Sequence, residues 1–162
     1  MKYTISVIMS VYDGDNDSHF DDALRSLIAN KEFITEVVLI RNGIISSCKS
    51  YSIRNAKKYL ALKEIILDKN IGLSKALNIA IENASSEWLV RFDSDDLCVK
   101  NRFKFIQNKI LKYGKQYDVL GTFISEFTDN GFWKDTNEKY SLELGKSSLT
   151  IPAWFTVKGI MI

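Results

Sequence analysis

Apolar residues along this chain fall into two alternating rhythms. A nearly unbroken apolar run at 5–11 reads as a strand covered on both faces, and 37–40, 62–67 and 88–92 read as three further strands. The stretches between and after them carry apolar residues at helix spacing. These are Phe20, Ala23, Leu24, Leu27 and Ile28, then Ile53, Ala56 and Leu60, then Leu73, Ala76, Leu77, Ala80 and Ile81, and finally Phe103, Ile106 and Ile110. This alternation predicts right-handed βαβ crossovers and an α/β fold with a mostly parallel sheet flanked by helices. Ligands of such sheets bind beyond the carboxyl ends of the strands, so the polar loops after the four strands are the expected site.

Local signals set the boundaries. Ser18 followed by Asp21 predicts a capping box, with Asp in place of the usual Glu. Arg41-Asn42-Gly43 is a sharp turn signal, residues 68–72 form a loop, and Gly114 is a helix stop. Past Gly114 the pattern weakens. Residues 117–127 predict one or two strands, and Asn130-Gly131 predicts a hairpin turn before Phe132 and Trp133. Little pattern follows from Lys134 onward.

Composition narrows the class. A chain of 162 residues suits one domain with a sizeable core, and 46% apolar with 26% charged residues is ordinary globular usage. A net charge of +2 is too small to argue for a nucleic-acid partner. Two cysteines, Cys48 and Cys98, make no disulfide framework and point to a reducing compartment. No signal-peptide layout opens the chain, and its longest apolar run, 5–11, is far too short to span a bilayer. A cytoplasmic protein is expected.

The densest chemistry is at Asp93, Asp95 and Asp96, three carboxylates at the end of the fourth strand. Like charges held together there cost free energy unless a cation sits between them. Alternation along an extended segment would let Asp93 and Asp95 converge while Ser94 turns aside. Two hard oxygen ligands suit Mg²⁺ or Mn²⁺, which take their remaining ligands from water and substrate phosphates. A solvated loop capping the next helix is the plainer reading. Asp13, Asp15 and Asp17 resemble the start of an EF-hand, but Ser18 and Leu24 stand where that loop needs Gly and Glu; turn polarity suits Asp15 and Asp17. His19, the only histidine, reads as a loop or helix-start residue, and Cys98 as packing. Lys100, Arg102, Lys104, Lys109, Lys112 and Lys115 make the last helix basic, either a solvated face or a surface attracted to anionic lipid. Trp133, Trp154 and Phe155 are core residues or, in a shortened chain, exposed ones.

Three motifs, in order, resemble the family 2 glycosyltransferases of the GT-A (Rossmann-like) fold, in the group that builds bacterial O-antigen, capsule or exopolysaccharide. The strand from Ser6 to Tyr12 is similar to the family's opening strand, although Ser10 stands where Pro is common. Asn70, Gly72, Ala76 and Asn78 match its N-x-G-x-x-x-A-x-N helix start, and Asp93-Ser94-Asp95-Asp96 matches its D-x-D-D metal motif. The resemblance implies a nucleotide-sugar-binding core over 1–127, with 128–162 a partial acceptor-side segment or a truncated tail of the same domain. It implies an inverting, metal-dependent transfer of sugar from a nucleoside-diphosphate donor to an acceptor hydroxyl. Tyr12 and Asp13 would border the base and ribose, and Asn42 would meet the base. Gly72 would permit close backbone approach, Lys75 would face the phosphates, Asp93 would sit beside the ribose and metal, and the adjoining Ser94 would help bind the donor. Asp95 would be the principal ligand of Mg²⁺ or Mn²⁺, and Asp96 a second ligand or orienting neighbour.

Each of these has a plainer alternative: turn chemistry for Asn42-Gly43, and a solvated helix lysine for Lys75. Asn42 replaces a common Asp, which favours a thymidine or guanosine donor over a uridine one. The catalytic base is not identified; Glu126, Asp129, Asp135 and Glu138 are available. The acceptor would be a glycan or a lipid-linked glycan, with no nucleic acid and at most peripheral contact with the cytoplasmic face of the inner membrane. The alternatives are a non-catalytic nucleotide-sugar-binding fragment and, below it, a metal-dependent phosphohydrolase.

Overall fold

The computed structural model describes residues 3–121, 125–127, 133–135 and 155–158, with side chains over 3–121. The elements run β1 (Ile5–Val11), α1 (Asp17–Ile28), a 3-10 turn (Lys31–Phe33), β2 (Glu36–Asn42), α2 (Ser47–Ala56), β3 (Leu62–Leu67), α3 (Leu73–Glu82), β4 (Trp88–Arg91) and α4 (Arg102–Tyr113). Four short strands follow: β5 (Val119–Gly121), β6 (Ser125–Phe127), β7 (Trp133–Asp135) and β8 (Phe155–Lys158).

All seven residues of β1 are buried, as a strand sandwiched between helices requires. Its odd positions, Ile5, Val7, Met9 and Val11, join Phe20, Leu24 and Leu27 of α1, Ile53 of α2, and Phe103, Ile106 and Ile110 of α4 in the larger core. Ile8, on the opposite face, joins Val38, Ile40, Ala76 and Ala80 in a smaller one. So α1, α2 and α4 cover one face of the sheet, and α3 covers the other. Leu73 and Ile81, at the margins of the α3 stripe, stay about half exposed.

The main sheet has the order β3-β2-β1-β4-β8-β5. Strands β1 to β4 are mutually parallel, as the alternation predicts. β8 is antiparallel to both β4 and β5 and lies between them, with Trp88 opposite Lys158 and Gly121 opposite Phe155. Only the short alternation Phe155-Thr156-Val157-Lys158 marks this strand in a stretch that otherwise shows little pattern. β6 and β7 pair antiparallel, Phe127 opposite Trp133, as a hairpin would; the Asn130-Gly131 turn lies outside the described residues.

Two boundary expectations are corrected. α1 is capped by Asn16, whose Oδ1 accepts from the Ser18 and His19 amides at 2.9 and 3.2 Å. No Ser18–Asp21 box forms because Asp21 instead accepts from Ser52 Oγ and Arg25 Nε, both at 2.6 Å. α2 ends at Ala56, and Leu60 is buried in the turn beyond it. Among the described residues no helix is long and apolar enough to cross a membrane.

Candidate active site at the carboxyl edge of the sheet

Strand order reverses at β1, which has β2 on one side and β4 on the other. Such a switch point opens a crevice between the loops that leave the two adjoining strands. Here those are the loop after β1, with Tyr12 and Asp13, and the loop after β4, with the three aspartates.

The loop after β1 folds on itself: the Tyr12 amide donates to Asp15 Oδ2 at 3.0 Å, and the Asp15 amide returns to the Tyr12 carbonyl at 3.3 Å. Tyr12 is exposed, with its ring lying against Gly14, and Asp13 is exposed beside it. Beneath them sits a residue the sequence pattern does not announce. Lys49 of α2 is only 2% exposed, and its Nζ donates to the Asp13 carbonyl at 3.1 Å and pairs with Asp17 Oδ1 at 2.6 Å. Asp17 thus does more than keep a turn polar. Hydrogen bonds from Lys49 and then Ser46 hold its carboxyl below the usual aspartate range.

The loops after β2 and β3 interlock. Asn42 is 4% exposed; its Oδ1 accepts from the Ile71 amide at 2.9 Å, and its Nδ2 donates to Asn70 Oδ1 at 3.1 Å. Asn70 Oδ1 also accepts from the Gly72 amide two residues on, at 2.9 Å. The N-x-G spacing is therefore an Asx-type turn that leads into α3. Gly43, at φ 95°, lets this loop close in: a Cβ there would stand 2.9 Å from the Asn70 nitrogen. Gly72 has φ 86° and nothing within 4 Å of a built Cβ. Its need for glycine is the backbone angle, not a close protein neighbour. As N-cap of α3 it brings no side chain to the first turn, leaving the leading amides available to an anion. Lys75 is exposed in that turn.

The acid loop departs from the extended geometry expected of it. Its chain turns at Ser94 and Asp95, and the Asp96 amide donates back to the Asp93 carbonyl at 3.3 Å. Strand alternation therefore stops at Asp93. Ser94 is buried at 8% exposure, Asp95 is exposed, and Asp96 is intermediate. Arg91 grips Asp93 with two bonds, Nε to Oδ1 at 3.0 Å and a terminal nitrogen to Oδ2 at 3.1 Å. Burial, then the charges of Asp93 and Asp95, push the Asp96 carboxyl above the usual range, against the opposing pull of Arg102. Among the described residues no three His, Cys, Asp or Glu side chains are grouped to hold a cation by themselves. The crowding at Asp96 nevertheless fits Mg²⁺ or Mn²⁺ shared between Asp95, Asp96, water and a ligand's phosphates, since a cation relieves the repulsion these side chains suffer alone.

The far end of this loop is stapled to α1. Asn30, buried, donates to the carbonyls of Ser26 and Val99 and to Cys98 Sγ, at 3.0, 3.2 and 3.2 Å. The Cys98 amide donates to Ser26 Oγ at 3.1 Å, and burial pushes the Cys98 thiol up. Sequence reasoning passed over Ser26 and Asn30, although two polar residues four apart beside Leu27, on an apolar helix face, are a readable signal. Of the candidate bases, Glu126 and Asp135 lie on β6 and β7, while Asp129 and Glu138 fall outside the described residues. The side chains of Trp133 and Phe155, and all of Trp154, are also outside them.

Comparison with known proteins agrees with this architecture. The family model for glycosyl transferase family 2 matches residues 6–162. A UDP-Gal:alpha-D-GlcNAc-diphosphoundecaprenol beta-1,3-galactosyltransferase from Escherichia coli is 34% identical over 125 residues, 77% of this chain and 45% of that protein. The amylovoran biosynthesis glycosyltransferase AmsE of Erwinia amylovora is 32% identical over 127 residues, 78% of this chain and 47% of its own. The chain thus spans about half the length of the curated relatives it matches. Among solved structures, S. aureus TarS 1-349 with UDP superposes at a TM-score of 0.77 over 96% of this chain and 47% of TarS, at 22% identity. The same protein with UDP-GlcNAc matches at 0.63 and 26% identity, over 72% of this chain and 33% of TarS. The fold is that of the GT-A glycosyltransferases, and the chain belongs to glycosyl transferase family 2.

Proposed function

We propose that this chain binds a nucleoside-diphosphate sugar at the switch point and serves sugar transfer to an acceptor hydroxyl in bacterial surface polysaccharide synthesis. The observation that carries the reading is the convergence of the β1, β2–β3 and β4 loops on one sheet edge, where an acidic turn stands across from an open helix start. In this reading the exposed Tyr12 ring borders the base, Asp13 the ribose, and the α3 amides with Lys75 take the phosphates. Arg91 fixes Asp93 toward the donor, and Asp95 and Asp96 hold the divalent cation. When bound, that cation supplies Lewis-acid neutralisation of the departing diphosphate. Inversion requires one carboxylate to take the acceptor proton from the opposite side of the sugar.

Asn42 no longer argues against uridine, because its amide is spent inside the protein and is almost wholly buried. Relatives named for UDP-Gal and solved with UDP-GlcNAc put UDP first among the bases to try. The acceptor, by the same likeness, is a lipid-linked glycan. A non-catalytic nucleotide-binding unit stays the second reading. The phosphohydrolase alternative loses its basis, since the acid loop follows a fourth strand in a GT-A sheet.

The test is a thermal-shift panel of UDP, GDP and dTDP, with and without Mn²⁺, on the native chain and on Asp95→Ala. Stabilisation by a diphosphate that needs the metal and vanishes in Asp95→Ala is expected; at a ligand concentration a hundred times Kd it amounts to about 2.7 kcal/mol. An equal shift without metal would refute the cation's part. Sugar transfer to a lipid-linked acceptor separates the enzyme from the non-catalytic unit.

A further inference from the structure

We infer that the outer face of α4, with the loop leading into it, docks this protein on an anionic phospholipid bilayer. Between positions 97 and 117 the chain carries six basic residues and no Asp or Glu, although its total charge is only +2. The rest of the molecule is therefore net negative, and the excess of positive charge falls on α4 and the residues flanking it. α4 turns Phe103, Ile106 and Ile110 into the core. It leaves Lys104, Phe105, Leu111, Lys112 and the following Lys115 outside. Phe105 and Leu111 are each 53% exposed, and in the leading loop Val99 is 73% exposed and Leu97 44%.

Helical spacing sets positions 104, 108 and 111 in one row, with 105 and 112 beside it and Lys115 in the turn that follows, so the apolar side chains stand among the lysines. A purely solvated face gains nothing from an exposed Phe and Leu, and a face built for phosphate backbones gains little more. A bilayer surface rewards both, since apolar groups enter the headgroup boundary while lysines meet anionic lipid. Lys109 lies over the Phe105 ring at 5.1 Å and Lys112 over Tyr113 at 4.9 Å, which keeps each ammonium beside an apolar ring. Arg102, by contrast, turns inward over Phe92, so the surface charge rests on the lysines.

The face begins at Leu97, the residue after Asp96, so docking sets the acid loop against the membrane. The docking stands without the sugar-transfer reading; only its purpose, presenting a membrane-held acceptor to that loop, rests on it.

Flotation of the full chain with vesicles tests it. We expect capture by vesicles of phosphatidylglycerol and phosphatidylcholine in equal parts, none by phosphatidylcholine alone, and release as salt rises. Lys104→Gln, Lys112→Gln and Lys115→Gln together should weaken capture about a hundredfold, about fivefold each, at an unchanged melting temperature. Phe105→Ser with Leu111→Ser should weaken it too. Equal capture by both vesicle types, or capture indifferent to the lysine changes, overturns the inference. So does tighter binding of an RNA oligomer than of anionic vesicles, or self-association that Phe105→Ser with Leu111→Ser abolishes. Diphosphate stabilisation measured on the same variants should be unchanged, so the loss of one property leaves the other standing.

Discussion

At the residue scale, two glycines hold the loops beneath the switch point for different reasons. Gly43 needs both its left-handed φ and its missing Cβ, because the Asn70 backbone stands 2.9 Å from where that carbon would be. Gly72 needs only its φ, with open space around it. Gly72→Ala should therefore cost about 1–3 kcal/mol of backbone strain, and Gly43→Ala more, because it must also push back the loop that Asn42 clamps. Urea denaturation of the two variants checks the order; equal costs would mean that the close approach at Gly43 is unimportant. The sequence disclosed the type and spacing of these residues but not their partners. Asn42 and Asn70 read as turn or ligand groups, and only the fold shows one amide closing two loops. Lys49 was illegible for the same reason: a lysine in a polar helix start looks solvated until Asp13 and Asp17 are brought over it.

At the element scale, the four parallel strands and four helices were legible because each carries an apolar stripe or run, although β3, at the edge of the sheet, covers its own only in part. Tertiary polar contacts that tie elements together left only faint marks. The Asn30 staple between α1 and the acid loop is one such contact. Asn30→Ala would strip several bonds from a buried site and should cost about 1–3 kcal/mol. If the staple positions the loop, this variant should also weaken metal-dependent nucleotide stabilisation; if it only packs, the melting temperature alone will fall.

A second tie lies at the opposite edge of the sheet. Glu36, at the start of β2, accepts from Ser6 Oγ at 2.6 Å and from the amide and hydroxyl of Ser85 at 2.6 and 2.8 Å. Burial pulls the Glu36 carboxyl up, but the Ser6 and Ser85 bonds outweigh it, and the group stays below its ordinary value of 4.5. A carboxylate depressed in the folded state gives stability that is whole above the unfolded value and drains as pH falls through the lower folded one. Melting temperature should therefore drop on acidification below about 4.5, and Glu36→Gln should flatten part of that drop. A variant with the same acid profile as the native chain would remove Glu36 from the account.

At the scale of the whole molecule, β8 is the element the sequence hid. Its four residues, Phe155-Thr156-Val157-Lys158, do alternate apolar and polar, but so short an alternation, far along the chain from its partners, does not say that it will enter the main sheet. Their place between β4 and β5 means that removing residues 122–162 leaves β4 with an open edge directly beneath the acid loop. That shortened chain should melt lower and self-associate, seen by size-exclusion chromatography, since an uncovered strand edge recruits others. A monomer with unchanged melting would show the sheet indifferent to its antiparallel strand.

The same arrangement has a consequence in time. On the ribosome β4 emerges well before β8, with more than sixty residues between Arg91 and Phe155 still to be joined. At about 5–20 residues per second, that interval lasts roughly 3–13 s. For those seconds the half-built sheet has its hydrogen-bonding edge bare, making this a window in which a chaperone or a neighbouring nascent chain can capture it.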